Sequence, residues 1–147
     1  MADGPSLSTA VGGVLLTITR IIFHLQDFLS NVGDVDEAVK TFFISIKGLE
    51  TSLRAVQKSL FEDYSTLINS EVKKIYAALD YILSDCQHTT CGLDMVLRKL
   101  GKKSLFEYWA TVEELRTEHS SNKITKFRWH IRIYREVFQA YLLSVFM

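Results

Sequence analysis

One proline and seven glycines in 147 residues are too few for a turn-rich β architecture, a collagen-like repeat or a disordered tract. Two cysteines, Cys86 and Cys91, cannot build a disulfide framework. Five positions apart on one helix, they would point about 140° away from each other, so reduced thiols are expected. The longest charge-free run, Gly4 to Thr19, would span about 24 Å as helix, short of the roughly 30 Å hydrocarbon core of a bilayer. Extension to Leu29 brings in Arg20, His24 and Asp27, and a central Arg costs about 2.5–3.5 kcal/mol on insertion scales. A constitutive transmembrane helix is therefore not expected. No positive stretch precedes the apolar run, so no secretory signal is read and the expected location is cytoplasmic.

Hydrophobic residues make up 48% of the chain, enough to hide a core without staples in one domain covering residues 1–147. Four long segments carry helical periodicity. The first, Ser6 to Asn31, places Leu7, Val11, Val14, Ile18, Ile21 or Ile22, and Leu25 on one stripe. The opposite stripe reads Thr9, Gly13, Thr17, Arg20, His24, Asp27 and Asn31. The second segment opens on an Asp34–Glu37 cap-like pair. Its apolar positions, Val35, Val39, Phe42, Ile46, Leu49, Leu53, Val56 and Leu60, alternate spacings of four and three. A third helix, from about Tyr64 or Ser65 to Leu100, carries Ile68, Val72, Ile75, Leu79, Ile82 and Cys86, then Leu93, Val96 and Leu100. His88 to Gly92 interrupts that stripe, which predicts a kink or a division there. Residues 102–126 read weakly, as a short helix around Leu105 to Leu115 and a loop at His119 to Asn122. The last helix puts Phe127, Ile131, Tyr134, Phe138, Tyr141 and Val145 on one face. The expected fold is all-α, a single bundle of four to five helices.

The residues offer little that would converge as a catalytic centre. No P-loop, dinucleotide-binding or nucleophile-elbow motif occurs, so neither enzymatic activity nor a cofactor is expected. Cys86, His88 and Cys91 hold the soft metal ligands of one short stretch, but on a regular helix Cys86 and His88 diverge by about 160°. No metal is expected. Gly12 and Gly13 read as a small-residue contact with a neighbouring helix or a loose point in a helix that rearranges. His24 reads as a solvated or interface residue, and His119 and His130 read as surface residues.

The charge distribution is informative. Residues 1–97 hold seven basic and twelve acidic side chains, whereas residues 98–135 hold ten basic and four acidic. Lys123, Lys126, Arg128, Arg132 and Arg135 fall among Phe127, Trp129, Ile131 and Tyr134 without an intervening acid. Basic heads beside aromatic rings suit anionic lipid or an acidic partner. The plainer reading is a last helix with an aromatic core face and a solvated basic face. Nucleic acid is the weaker alternative, because no recognised binding motif accompanies these cations.

Three stretches together resemble a known family. The opening Met1 to Val14, the middle run Ile82 to Cys86 followed by Leu93, Val96, Leu97, Lys99 and Leu100, and the segment Lys126–Phe127–Arg128–Trp129 resemble, in that order, the fungal HeLo-like N-terminal domain. The likeness is weaker at Thr90, Gly92 and residues 105–119. The wider class is similar to the four-helix executioner domain of mixed-lineage kinase domain-like protein. The resemblance implies a helical domain at the N-terminus of fungal NOD-like receptor (STAND) proteins, acting in programmed cell death or allorecognition. It further implies self-association, pairing with other helical domains, and recruitment to the inner face of the plasma membrane on activation. Carried onto this chain, the membrane-inserting residues would be Leu7, Val11, Val14, Leu15, Ile18, Ile21, Ile22 and Leu25. The alternative is a protein–protein adaptor bundle with no membrane step.

Overall fold

The computed structural model of the chain describes residues 4–30, 37–61, 70–100 and 123–146. All of them are helical: α1 (Gly4–Ser30), α2 (Glu37–Phe61), α3 (Ser70–Leu100) and α4 (Lys123–Phe146). Among the described residues there is no strand. The protein is an all-α bundle, as its periodicity predicts. The cap-like pair at Asp34, the α2–α3 link and the weak segment 102–122 lie outside the described residues.

The helices stand at the corners of a square. α1 packs on α2 and α3, α4 packs on the same two, and α1 lies diagonally across from α4. Side-chain pairs set the directions. Thr17 meets Gln87 and His24 meets Asp94, so α1 and α3 run parallel. Gly48 meets Arg135 and Ser59 meets Tyr141, so α2 and α4 also run parallel. Tyr134 meets Asp85 and Gly92 meets Phe127, which makes α3 and α4 antiparallel. Two antiparallel hairpins, α1–α2 and α3–α4, therefore lie side by side.

The core is built from the stripes. Leu7, Val11, Val14, Ile18, Ile21, Ile22 and Leu25 of α1 are all buried, as are Phe42, Ile46, Leu49, Leu53, Val56 and Leu60 of α2. In α4, Ile131, Tyr134, Phe138 and Tyr141 close it from the far side. The third stripe is rotated from its expected position. Leu79, Leu83, Cys86 and Leu93 are buried, while Ile75 is exposed and Ile82 only half-buried.

α3 is not divided at His88 to Gly92. It runs without a break to Leu100. The polar residues that suggested a breaker are absorbed instead: Thr90 Oγ1 donates to the Cys86 carbonyl at 2.8 Å, and Thr89 turns inward to Tyr134. A back-bonding hydroxyl satisfies itself within the helix and leaves the ladder intact. Thr17 follows the same logic in α1. It belongs to the stripe expected to face outward, yet it is buried, donating to the Gly13 carbonyl at 3.3 Å.

Candidate functional site

Three features stand out. The first is α1 itself. All eight residues expected to insert into a membrane, Leu15 included, belong to the buried core. Ser6–Asp27 is long and apolar enough to cross a membrane by length and composition, and half of that window is buried inside the bundle. At about 1.5 Å per residue its 22 residues span about 33 Å. The uncharged run underestimates this reach, because Arg20 is exposed and interrupts only the outer face. That outer face carries Leu16 and Phe23, 63% and 66% exposed. Gly12 sits 3.4 Å from Gln57 on α2, measured from the position a methyl would take, so it makes the small-residue contact. A methyl added at Gly13 would meet nothing within 4 Å.

The second feature is the outward face of α4. Trp129, Ile133, Ala140 and Leu143 fall at spacings of four, seven and three, which lines them up along a helix. Trp129, Ile133 and Leu143 are large hydrophobic side chains open to solvent. Lys126 and Arg132 flank this line and are exposed, with Arg132 Nε 3.6 Å from Glu136. Arg128 is half-buried. Lys123 occupies the first turn of α4, but its side chain lies outside the described residues.

Arg135 departs from this face. Its guanidinium lies against Gly48 of α2, where an added methyl would come within 2.7 Å of Cζ. Its Nε is buried with no hydrogen-bond partner among the described residues. In the closed bundle half-buried Arg135 thus packs between α4 and α2. Only glycine leaves room for the flat guanidinium to approach α2 so closely.

The third feature joins α3 to α4. Tyr134 Oη donates to Asp85 Oδ2, and Thr89 Oγ1 lies 2.8 Å from the same phenol oxygen. Since the phenol proton is committed to Asp85, the Thr89 hydroxyl must donate to Tyr134. It can then accept from His130 Nδ1 across a longer 3.4 Å gap. Burial, together with donation to the Asp85 carboxylate, pushes the Tyr134 phenol above its ordinary range. A phenol held neutral in this way fastens two helices rather than ionising. Beside it, burial first and the Asp85 charge second push the Cys86 thiol from about 9 up to about 12. No sequence motif announced this cluster, because its members lie 41 to 49 residues apart.

Both shifted groups stabilise the folded chain in their neutral forms. Their contribution is complete below the unfolded values, near 9 for Cys86 and 10 for Tyr134, and is lost as pH climbs through the folded ones. The urea midpoint is accordingly expected to hold steady below about pH 9 and to fall between about pH 9 and 12. The same burial predicts selective thiol chemistry. At neutral pH half-buried Cys91 takes a maleimide while buried Cys86 stays unmodified until the chain unfolds. Mass spectrometry then counts one adduct in buffer and two in denaturant; equal labelling rates in buffer would contradict this placement.

Polar residues also line the α1–α3 contact. Gln87 Nε2 reaches Thr17 Oγ1 and Cys91 Sγ, each at 3.3 Å, and His24 Nε2 stands 3.9 Å from Asp94 Oδ1. Among the described residues, no three His, Cys, Asp or Glu side chains gather as metal ligands would. Cys86 is buried whereas His88 on the same unbroken helix is exposed. The arrangement buries the apolar stripe of α1 and presents an aromatic surface beside exposed Lys126 and Arg132. No family model, no curated protein and no solved structure matches this chain.

Proposed function

We propose that this chain is a non-enzymatic signalling domain, a HeLo-like effector of a fungal immune-type receptor that acts in cell death or allorecognition. In this reading it resides in the cytoplasm, self-associates on activation, and reaches the inner face of the plasma membrane through α1. One observation carries the membrane step. α1 combines membrane-spanning length with an apolar stripe that is wholly occupied in the closed bundle. Such a helix is latent: it has no free apolar face of that size until the bundle opens. The exposed line Trp129, Ile133 and Leu143, flanked by Lys126 and Arg132, supports the same reading as a first contact with anionic lipid. The three stretches that resemble the HeLo-like family supply the receptor context.

The test is leakage of dye-filled vesicles of phosphatidylserine and phosphatidylcholine, against phosphatidylcholine alone. Release is expected from the anionic vesicles only. Each basic residue near such a surface contributes about 1 kcal/mol, so Lys126→Glu with Arg132→Glu is expected to cost about 2 kcal/mol or more, lowering vesicle affinity roughly thirtyfold or more. No binding and no leakage, from monomer and oligomer alike, would remove the membrane step. The adaptor reading would then stand, and it has an observation of its own: Leu16, Phe23 and Ile44 are open to solvent on α1 and α2, as a helical partner would require.

A further inference from the structure

α2 and α4 run side by side in the same direction, and the contact of Arg135 with Gly48 fixes their level. Along α2, Lys40, Ile44, Lys47 and Thr51 follow at spacings of four, three and four, and all are exposed. Along α4, Arg128, Arg132, Arg135 and Gln139 repeat the same spacings. Arg132 and Gln139 are exposed, while Arg128 and Arg135 are half-buried. Positions so spaced share one edge of a helix. Because Arg135 lies against Gly48, the neighbour of Lys47, the two edges run abreast. Lys47 is level with Arg135, Ile44 with Arg132 one turn back, and Lys40 with Arg128 a turn before that. The groove between these edges has the backbone of Gly48 in its floor.

Five of the eight edge positions are cationic and none is acidic. Glu50 and Glu136 belong to neither edge and lie 3.6 Å from Arg54 and Arg132. The Arg132–Glu136 pair is exposed and contributes little, so a second carboxylate can join it. Like charges set abreast repel, and a negative partner relieves that repulsion. Ile44, 67% exposed among these cations, adds an apolar contact.

We propose that the α2–α4 groove is the docking site for an acidic amphipathic helix of another protein. Its apolar stripe meets Ile44 and Gly48, and carboxylates on either side of that stripe reach Lys47, Arg132 and Arg135. A helix laid between two parallel helices presents side chains every three to four residues, the period of both edges. A bilayer is the poorer fit. Arg135 sits down against the α2 backbone, below the reach of a flat surface. The exposed line Trp129, Ile133 and Leu143 lies about 100° farther round α4. The inference therefore stands whether or not the membrane step does.

The probe is a synthetic helical peptide with leucines every three to four residues, flanked by glutamates. It is titrated into the full-length chain by calorimetry, beside the same peptide with every Glu replaced by Gln. The acidic peptide is expected to bind roughly tenfold or more tightly than its Gln counterpart, with an affinity that falls as salt is raised. Lys47→Glu, an exposed change on α2, is expected to remove most of that difference. Lys126→Glu, on the other side of α4, is expected to leave binding within about twofold. Circular dichroism verifies that both variants keep the helix content of the unaltered chain. Backbone amide shifts on binding are expected at Ile44, Gly48 and Arg135, not at Trp129 or Ile133. Equal binding of the two peptides, shifts centred on Trp129, or equal losses from Lys47→Glu and Lys126→Glu would overturn the inference. So would tighter binding of a phosphodiester oligonucleotide or of phosphatidylserine vesicles, lost in Lys47→Glu, which assigns the groove to phosphate instead.

Discussion

Ile18→Asp is expected to unfold the bundle. Ile18 is fully buried on the inner stripe of α1. A carboxylate there must either ionise in an apolar core or fold only when protonated. An uncompensated buried charge costs about 3–5 kcal/mol, a large part of the 5–15 kcal/mol typical of a native domain. Loss of the cooperative urea transition, or a steep fall in its midpoint, is the expected observation. Leu16→Asp sits two residues away on the outer face and is expected to change stability by no more than about 0.5 kcal/mol. The contrast separates burial of α1 from its hydrophobicity. If both variants behaved alike, α1 would not be packed with this face inward. Leu16→Asp also serves the functional question, since it alters the outer face of α1 while leaving the core alone.

Phe138→Ala comes next in size. The ring is fully buried on α4, on the side of the square opposite α1. Removing it forfeits the transfer energy of the ring and leaves a cavity that helices can close only in part, a cost of about 3–5 kcal/mol. For a chain of this length that corresponds to roughly 6–20 °C in melting temperature, at 2–4 °C per kcal/mol. Calorimetry or thermal circular dichroism measures it directly. A shift of a degree or less would mean that α4 does not close the core.

How far the fold could be read from residues alone varies with the helix. In α2 the alternation of four and three from Phe42 to Leu60 marks every buried hydrophobic position, with Ser52 and Ser59 buried beside it. α4 follows suit, because Phe127, Ile131, Tyr134, Phe138 and Tyr141 form a stripe too large to leave in water. α3 was legible only in part. Ile75 and Ile82 compete with Leu79 and Leu83 for the inward direction, and the choice between them depends on where α1 and α4 stand. Thr89 and Thr90 look like breakers until Tyr134 and the Cys86 carbonyl are there to receive them.

The candidate sites divide in the same way. The inner face of α1 was found by periodicity, whereas the environment of Arg135 was not, since nothing in a basic run says which cation will meet a glycine on another helix. The Asp85–Tyr134–Thr89 cluster arises from the pairing of helices. Sequence neighbours α2 and α3 are not principal partners here; α2 packs on α1 and α4. Periodicity shows which face of each helix is oily, but not which helix will cover it.

The direct test of the account is solvent paramagnetic relaxation of the isoleucine and leucine methyl groups, with a soluble gadolinium chelate added to the lipid-free chain. Leu16 and Ile44 are expected to lose signal strongly, while Leu7, Ile18, Ile21 and Leu25 stay as protected as Leu49 and Leu53 in α2. Equal attenuation of both faces of α1 would mean that this helix is not held in the core, and the latent apolar stripe on which the account rests would not exist.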